Sequence, residues 1–355
     1  MNGKIAVVLI NYRDYAKKYL AACRDSLRSQ TYPADKLKIY IIDNASTPES
    51  YEYLKNNFPE AQVLTRSDGN YCAANNLGFR AGLKDGCEYL VTLNMDTELE
   101  TNCLQELVLA LEKNTEAGIA QAKILLFPKN ENEKKQAKIN TLGNKINFLG
   151  FGTTSYYNEV DRPITGYPEI KGYASGCCFI TKKEVYQKIG GWNEEYFMYH
   201  DDMEFGLKTL LAGYKIILAP QARLFHKYEF TRSIKMLYYM ERNRYLMAFS
   251  FYPFKMIIFL APAWIVMAIG LMFYALFKGW FLTWLKSTFY FFRPSTWFKL
   301  KKYRQEIKKI NNKPIAILKE NIIGRIDFLE IDNLILCLIV NPLLSLYWRL
   351  LKFVL

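Results

Sequence analysis

Tyr89-Leu90-Val91-Thr92-Leu93-Asn94-Met95-Asp96 is a short apolar run that ends in an amide and a carboxylate. Branched and aromatic side chains in an unbroken run suit a strand buried on both faces. The polar residues mark where the chain leaves the sheet. The same pattern stands earlier in Lys38-Ile39-Tyr40-Ile41-Ile42-Asp43-Asn44 and, with an amide alone, in Ile5-Ala6-Val7-Val8-Leu9-Ile10-Asn11. Gln62-Val63-Leu64 is a shorter strand, and Tyr15–Arg28, Glu49–Asn57, Ala73–Lys84 and Cys103–Lys113 read as helices between them. Apolar strands alternating with helices predict an α/β fold, a mostly parallel sheet with helices on both faces. Ligands of such sheets bind beyond the carboxyl ends of the strands, where Asn11, Asp43, Asn94 and Asp96 stand.

Downstream, Pro128–Lys138 is charged and poor in apolar residues and predicts an exposed loop. Ser175-Gly176-Cys177-Cys178-Phe179-Ile180 reads as a strand, Met203–Leu211 as a helix stopping near Gly213, and Lys215–Leu218 as a strand ending at Pro220. At 355 residues the chain is long enough for a catalytic domain over 1–250 and an appendage over 251–355. Met256 to Phe277 is a run of 22 residues without a charge, enough to cross a hydrocarbon core of about 30 Å. Leu334 to Trp348 has 15 residues and contains Asn341-Pro342, so it reads as interfacial, re-entrant or a short span.

Residues 251–355 carry 15 Lys/Arg against 5 Asp/Glu, so they hold +10 of the chain's +13. Basic charge interleaved with apolar runs points to an anionic membrane surface, and the sequence has no zinc-finger spacing or separate basic strip that would suit nucleic acid. One crossing would set the basic Lys299–Lys313 segment opposite the N-terminus, against the positive-inside tendency. A hairpin or in-plane helices at the cell membrane, with a cytoplasmic catalytic domain and no signal peptide, are therefore expected. Seven Cys with no C-x-x-C pair read as reduced, packing thiols.

Each candidate site residue has two readings. Asp43 and Asp96 either cap the helices that follow or bind a base or ribose (Asp43) and a metal bridging a diphosphate (Asp96). Arg13 meets a phosphate or solvent. Ser67-Asp68-Gly69-Asn70 and Asn75-Asn76 offer turn chemistry or polar ligand contacts. Tyr199-His200-Asp201-Asp202-Met203-Glu204 opens a helix, where one acidic residue is explained by capping and the dipole but three are not. Asp202 or Asp201 is a candidate general base for a hydroxyl. Of the two His in the chain, His226 either packs structurally or joins Asp96 and donor oxygens around a divalent metal, Mg2+ or Mn2+; His200 lies beside the carboxylates. Arg232 and Arg242 suit a diphosphate, a lipid phosphate or solvent.

Over residues 4–250 these motifs resemble the inverting family-2 glycosyltransferases of GT-A fold, especially rhamnosyltransferase-like members. Val7–Tyr12 is similar to the family's opening strand, Asp43-Asn44-Ala45-Ser46 to its D-N-x-S turn, and Asp68–Gly78 to N-x-G-Y-A-x-x-N-N-x-G, with Asp68, Asn70 and Cys72 as substitutions. Asn94-Met95-Asp96 matches the D-x-D position, Ser175-Gly176 the acceptor-side S-G, and Gly190–Asp202 the G-G-F-D-E-x-F-F-x-Y-x-E-D stretch. Arg242-Asn243 resembles a following R-N pair. The resemblance implies Asp202 as base, Asp96 with His226 as metal ligands, and Asn11, Asp43, Asp68, Asn76 and Asn94 on the nucleotide-diphospho-sugar donor. It also implies Ser175 and Gly176 on a glycan or lipid-linked glycan acceptor. A sugar-nucleotide pyrophosphorylase would want a Gly-rich loop where only Gly3 stands near the first strand; a silent nucleotide-sugar-binding membrane scaffold is the non-enzyme alternative.

Overall fold

The computed structural model describes residues 3–130, 133, 136–228, 236–327 and 334–355. The first part of the chain runs β1 (Ile5–Asn11), α1 (Tyr15–Arg28), β2 (Leu37–Asn44), α2 (Pro48–Asn57), β3 (Gln62–Arg66), α3 (Tyr71–Lys84), β4 (Tyr89–Leu93), β5 (Thr97–Leu99), α4 (Cys103–Lys113), β6 (Ala117–Leu126) and β7 (Ile139–Thr141). It continues through β8 (Asn144–Asn147), β9 (Gly152–Thr154), β10 (Cys178–Lys182), α5 (Lys183–Ile189), α6 (Asp201–Leu211) and β11 (Lys215–His226). Among the described residues, one sheet has the order β3-β2-β1-β4-β10-β6-β11-β5, with β7 also on β6. Pairing is parallel from β3 to β4. It then turns mixed, because β10 runs antiparallel to both β4 and β6.

The period of two along β1 sets the layers. Ile5, Val7 and Leu9 enter the main apolar core with Leu20 and Cys23 of α1 and Leu104, Leu107 and Leu111 of α4. Ala6 and Val8 face α3, which packs so closely that a Cβ on Gly78 would stand 2.5 Å from Val8 Cγ1 and one on Gly82 2.4 Å from Ala6 Cβ. Sheet covered on both faces is the consequence of residues that alternate without a polar side.

Three elements differ from expectation. β6 was not legible, since Ala117-Gly118-Ile119-Ala120-Gln121-Ala122-Lys123 mixes small and polar residues; Gln121 and Lys123 are buried, Gln121 accepting from Ser175 N–H at 2.7 Å and Lys123 pairing with Asp161 at 2.8 Å. β11 passes through Pro220 to His226, because the register slips between Ala219 and Arg223 and the irregularity takes up a residue with no N–H to donate. β10 starts at Cys178, leaving Ser175-Gly176-Cys177 as a turn before it. Of the expected loop Pro128–Lys138, Lys129, Asn130 and Glu133 are exposed and residues 131, 132, 134 and 135 lie outside the described ones. All seven Cys are free thiols.

The chain divides into two units, Met1–Asn144 with Thr154–Tyr228, and Lys145–Thr153 with Glu229–Leu355. The division falls before the helix Leu237–Phe251 rather than at residue 250, and a short excursion around β8 and β9 belongs to the second unit. There β8 pairs in parallel with β12 (Ile322–Ile323). The second unit also holds α7 (Leu237–Phe251), α8 (Phe254–Phe277), α9 (Phe281–Phe289), α10 (Pro294–Ile310), α11 (Ile315–Asn321) and α12 (Asn341–Val354). Phe254–Phe277 and Leu336–Val354 are long and apolar enough to cross a membrane. Within α7, Arg244 is buried, pairs with Glu241 and donates to Leu149 O at 2.9 Å, which ties the excursion to the helices.

Candidate active site

The first strand ends close in on themselves. Asn11 and Asp43 are register partners at the ends of β1 and β2, and both are fully buried. Asn11 Nδ2 donates to Asp43 Oδ1 at 2.7 Å, while its Oδ1 accepts the Ala16 N–H at 2.9 Å. The second Asp43 oxygen accepts from Ser50 Oγ at 2.6 Å. Ser50 is in place because α2 opens with a capping box, Thr47 accepting from Ser50 N–H at 3.1 Å, and with Pro48 at its first position. After each strand one residue takes positive φ, Arg13 at 55° and Ala45 at 85°, a conformation rare for residues with a Cβ and commonest where function requires a sharp turn.

Asp68 is exposed and bound to Arg66 at 2.6 Å. Asn94 accepts from Tyr71 OH at 3.2 Å, and its N–H donates to Cys177 O at 2.8 Å. Asn76 lies on α3. It is buried, its Nδ2 donates to Trp192 O at 2.9 Å and Glu194 Oε1 at 3.1 Å, and its Oδ1 accepts from Trp192 N–H at 2.9 Å and Tyr186 OH at 3.3 Å. With these four bonds Asn76 staples α3 to the Gly191–Glu194 turn.

Asp96 and His226, 130 positions apart in the sequence, meet because β5 pairs antiparallel with the end of β11, setting Thr97 opposite His226. Lys227 N–H donates to Asp96 O at 2.9 Å and locks that register. Both side chains are buried, and His226 Nε2 stands 3.3 Å from Asp96 Oδ1. On the other side of the ring, His226 Nδ1 lies 2.9 Å from Asn140 Oδ1. Among the described residues His226 Nε2 has no hydrogen-bond partner. One carboxylate oxygen and one imidazole nitrogen therefore converge, a mixed N/O pair that could hold a divalent cation such as Mg2+ or Mn2+ when Nε2 carries the ring's lone pair. Among the described residues no group of three or more His, Cys, Asp or Glu forms a metal cluster.

Asp202 sits in the first turn of α6. Its Oδ2 accepts the Gly176 N–H at 3.2 Å and its Oδ1 the Met203 N–H at 2.9 Å. Burial pushes its carboxyl up to about 6, against the lowering effect of those N–H groups. Asp201, buried beside Asp202, is raised well above the usual range by burial and by that neighbouring charge. The turn that delivers them is strained: Phe197, Tyr199 and His200 have φ of 67°, 63° and 59°. Glu204, the third acidic residue of that turn, is structural. It is fully buried and pairs with Lys208 at 2.6 Å, one turn on. Gly176 joins the two halves of the site, since it precedes Cys177, whose carbonyl holds Asn94, and its own N–H holds Asp202. Ser175 accepts from Cys177 N–H at 3.3 Å.

Sequence reasoning did not find Asn140, Tyr71 or Ser50, ordinary polar residues whose position only the folded chain reveals. Arg242 belongs to the second unit, where its guanidinium lies over the rings of Tyr238, Tyr239 and Tyr290 and donates to Asn243 at 2.9 Å. Arg232 lies outside the described residues.

A family model described as glycosyl transferase family 2 matches residues 6–190. The O-antigen biosynthesis protein RfbC of Myxococcus xanthus is 29% identical over 213 residues, 57% of this chain and 16% of that protein. The low-salt glycan biosynthesis hexosyltransferase Agl10 of Haloferax volcanii is 25% identical over 211 residues, 58% of this chain and 61% of that protein. The chain thus spans less than two thirds of each of these relatives. The crystal structure of GalNAc-T7 with UDP, GalNAc and Mn2+ superposes with a TM-score of 0.54 at 14% identity, covering 71% of this chain and 48% of that one, a likeness of fold.

Proposed function

Because the chain belongs to glycosyl transferase family 2, we propose that it moves a sugar from a nucleotide-diphosphate donor to a hydroxyl of a glycan or lipid-linked glycan. The transfer inverts the anomeric carbon and uses Mg2+ or Mn2+ held by Asp96 and His226. The observation that carries this proposal is the convergence of Asp96 Oδ1 and His226 Nε2 at 3.3 Å. A divalent ion there would neutralise charge on the departing nucleoside diphosphate. The Mn2+ in the GalNAc-T7 structure supports the choice of metal.

Asp202 takes the proton of the acceptor hydroxyl as its oxygen bonds to the anomeric carbon and the donor's glycosidic C–O bond breaks, the electron pair leaving with the diphosphate. A carboxyl pushed up to about 6 is a stronger base than an ordinary aspartate and is still ionised at neutral pH. The Gly176 and Met203 N–H groups fix its orientation, which gives Ser175-Gly176 their part on the acceptor side. Asp201, raised further by burial and by Asp202, is the partner carboxyl. Asn11 and Asp43 form the pre-set floor under the nucleoside, with Asp68 and Asn94 at its edges. The donor is a hexosyl or rhamnosyl nucleotide sugar.

The second unit attaches to the cytoplasmic face of the cell membrane, as a hairpin of its two long apolar helices or with helices lying in the membrane plane. Val266 and Phe277 of α8 and Leu338 and Phe353 near α12 are exposed apolar side chains, and exposed Lys299, Lys301, Lys302, Lys308 and Lys309 on α10 suit anionic headgroups.

Incubation of the full chain with a panel of nucleotide sugars and lipid-linked acceptors, read by product mass, tests the function. Nucleoside diphosphate release with a glycosylated acceptor is expected, and EDTA should abolish it. Pyrophosphate instead would mean a pyrophosphorylase, and tight donor binding without product a scaffold.

A further inference from the structure

We infer that Asn140 is a positioning residue for this site: its amide oxygen holds His226 in the Nδ1–H tautomer and so keeps the Nε2 lone pair turned to Asp96. The inference rests on the proposed Asp96–His226 metal pair. Asn140 lies on β7, where the register with β6 slips between Ile124 opposite Thr141 and Leu125 opposite Ile139, leaving Asn140 as the residue without a partner. Such an irregularity re-aims a side chain. Here it delivers a buried amide to the ring of a residue on the far side of β6, where Leu126 pairs with His226.

The ring geometry supplies the rest. A neutral imidazole has one N–H, and the nitrogen 2.9 Å from an amide oxygen is the one that carries it. The other nitrogen is then a pure acceptor beside a carboxylate, and it makes no hydrogen bond there in spite of a 3.3 Å separation. Without Asn140 the ring is free to take the Nε2–H tautomer. That N–H would donate to Asp96 and fill the position where a cation belongs. An amide does this without adding a second negative charge next to Asp96. The opposite amide orientation, with Nδ2 donating to the ring and Nε2–H donating to Asp96, is the arrangement that must be eliminated.

The chain has two His, so 15N NMR of histidine-labelled full-length protein in EDTA resolves the tautomer, with His226 assigned from the His226→Gln spectrum. Nδ1–H is expected in the wild type, and Nε2–H there overturns the inference. Asn140→Leu should shift the ring toward Nε2–H and weaken Mn2+ binding, measured by calorimetry, by about 10–100-fold. Asn140→Asp, which keeps an acceptor on Nδ1, should retain the Nδ1–H and bind Mn2+ no more weakly than the wild type. Unchanged Mn2+ affinity in Asn140→Leu, with His226→Gln binding lost, overturns only the role of Asn140. Mn2+ bound equally by His226→Gln and wild type overturns the metal site itself. Should Asn140→Leu fail to fold, the wild-type tautomer together with Asn140→Asp decides.

Discussion

At the end of β2, Asp43 has both oxygens engaged, by Asn11 at 2.7 Å and Ser50 at 2.6 Å, whereas past the end of β4 Asp96 stands 3.3 Å from an imidazole nitrogen that makes no hydrogen bond among the described residues. In the sequence these are one feature, a carboxylate after an apolar run. The side proposed for the nucleoside is held by the protein's own hydrogen bonds, which contribute to stability. The other side gathers Asp96, His226 and a carboxyl raised to about 6, the side to which the proposed cation and reacting hydroxyl are assigned. The same division recurs within α6, where Asp202 serves the crevice and Glu204 the core.

The sharpest way to break this contrast is Asp202→Asn. It should lower kcat by about 10²–10⁴-fold while donor affinity, read by calorimetry, stays near wild type; wild-type turnover would remove Asp202 from the role of base. Two residues along the same turn the effect should move from rate to stability. Glu204→Ala leaves Lys208 buried without its counter-charge and should cost about 3–5 kcal/mol in denaturant unfolding. A loss under about 1 kcal/mol would show that the pair is not structural.

At the finished strand end, Asp43→Ala removes the acceptor of one buried Asn11 N–H and of the Ser50 hydroxyl, which keeps Thr47 O, and should cost about 1–3 kcal/mol. If it removed activity with no change in stability, the two strand ends would be alike after all. The smallest effect is a dependence on pH. Below about 6 Asp202 takes up a proton and kcat/KM should fall about tenfold per unit. Stability should move the opposite way: the folded protein holds this proton more tightly than the unfolded chain, so the Asp202 contribution declines as pH rises from the ordinary carboxylate range to about 6 and is level above it. Asp202→Asn should therefore melt a few degrees higher than wild type at pH 8, and a lower Tm would contradict the origin of the raised carboxyl in burial.

Much of the fold was legible. The β1, β2 and β4 runs and helices α1 to α4 announce themselves by apolar period, and Asn11, Asp43, Asn94 and Asp96 fall at the strand ends where such sheets bind ligands. β6 was hidden by its Ala and polar residues, which are buried only because Ser175 and Asp161 answer them. Pro220 concealed the rest of β11, since a proline ends a strand unless the register slips around it. The stapling contacts of Asn76 were not legible, because an amide in a ligand-like motif and an amide joining two segments have the same sequence.

The sequence by itself determined which residues can do chemistry and which segments form strands, because apolar periodicity and side-chain type are local properties. Only the tertiary structure decided which carboxylates are available. Pairing of a three-residue strand with the end of β11 brings Asp96 to His226, a slip in β7 brings Asn140 behind the ring, and burial raises Asp202. Each depends on neighbours remote in the chain, and free energies of that kind belong to no residue alone.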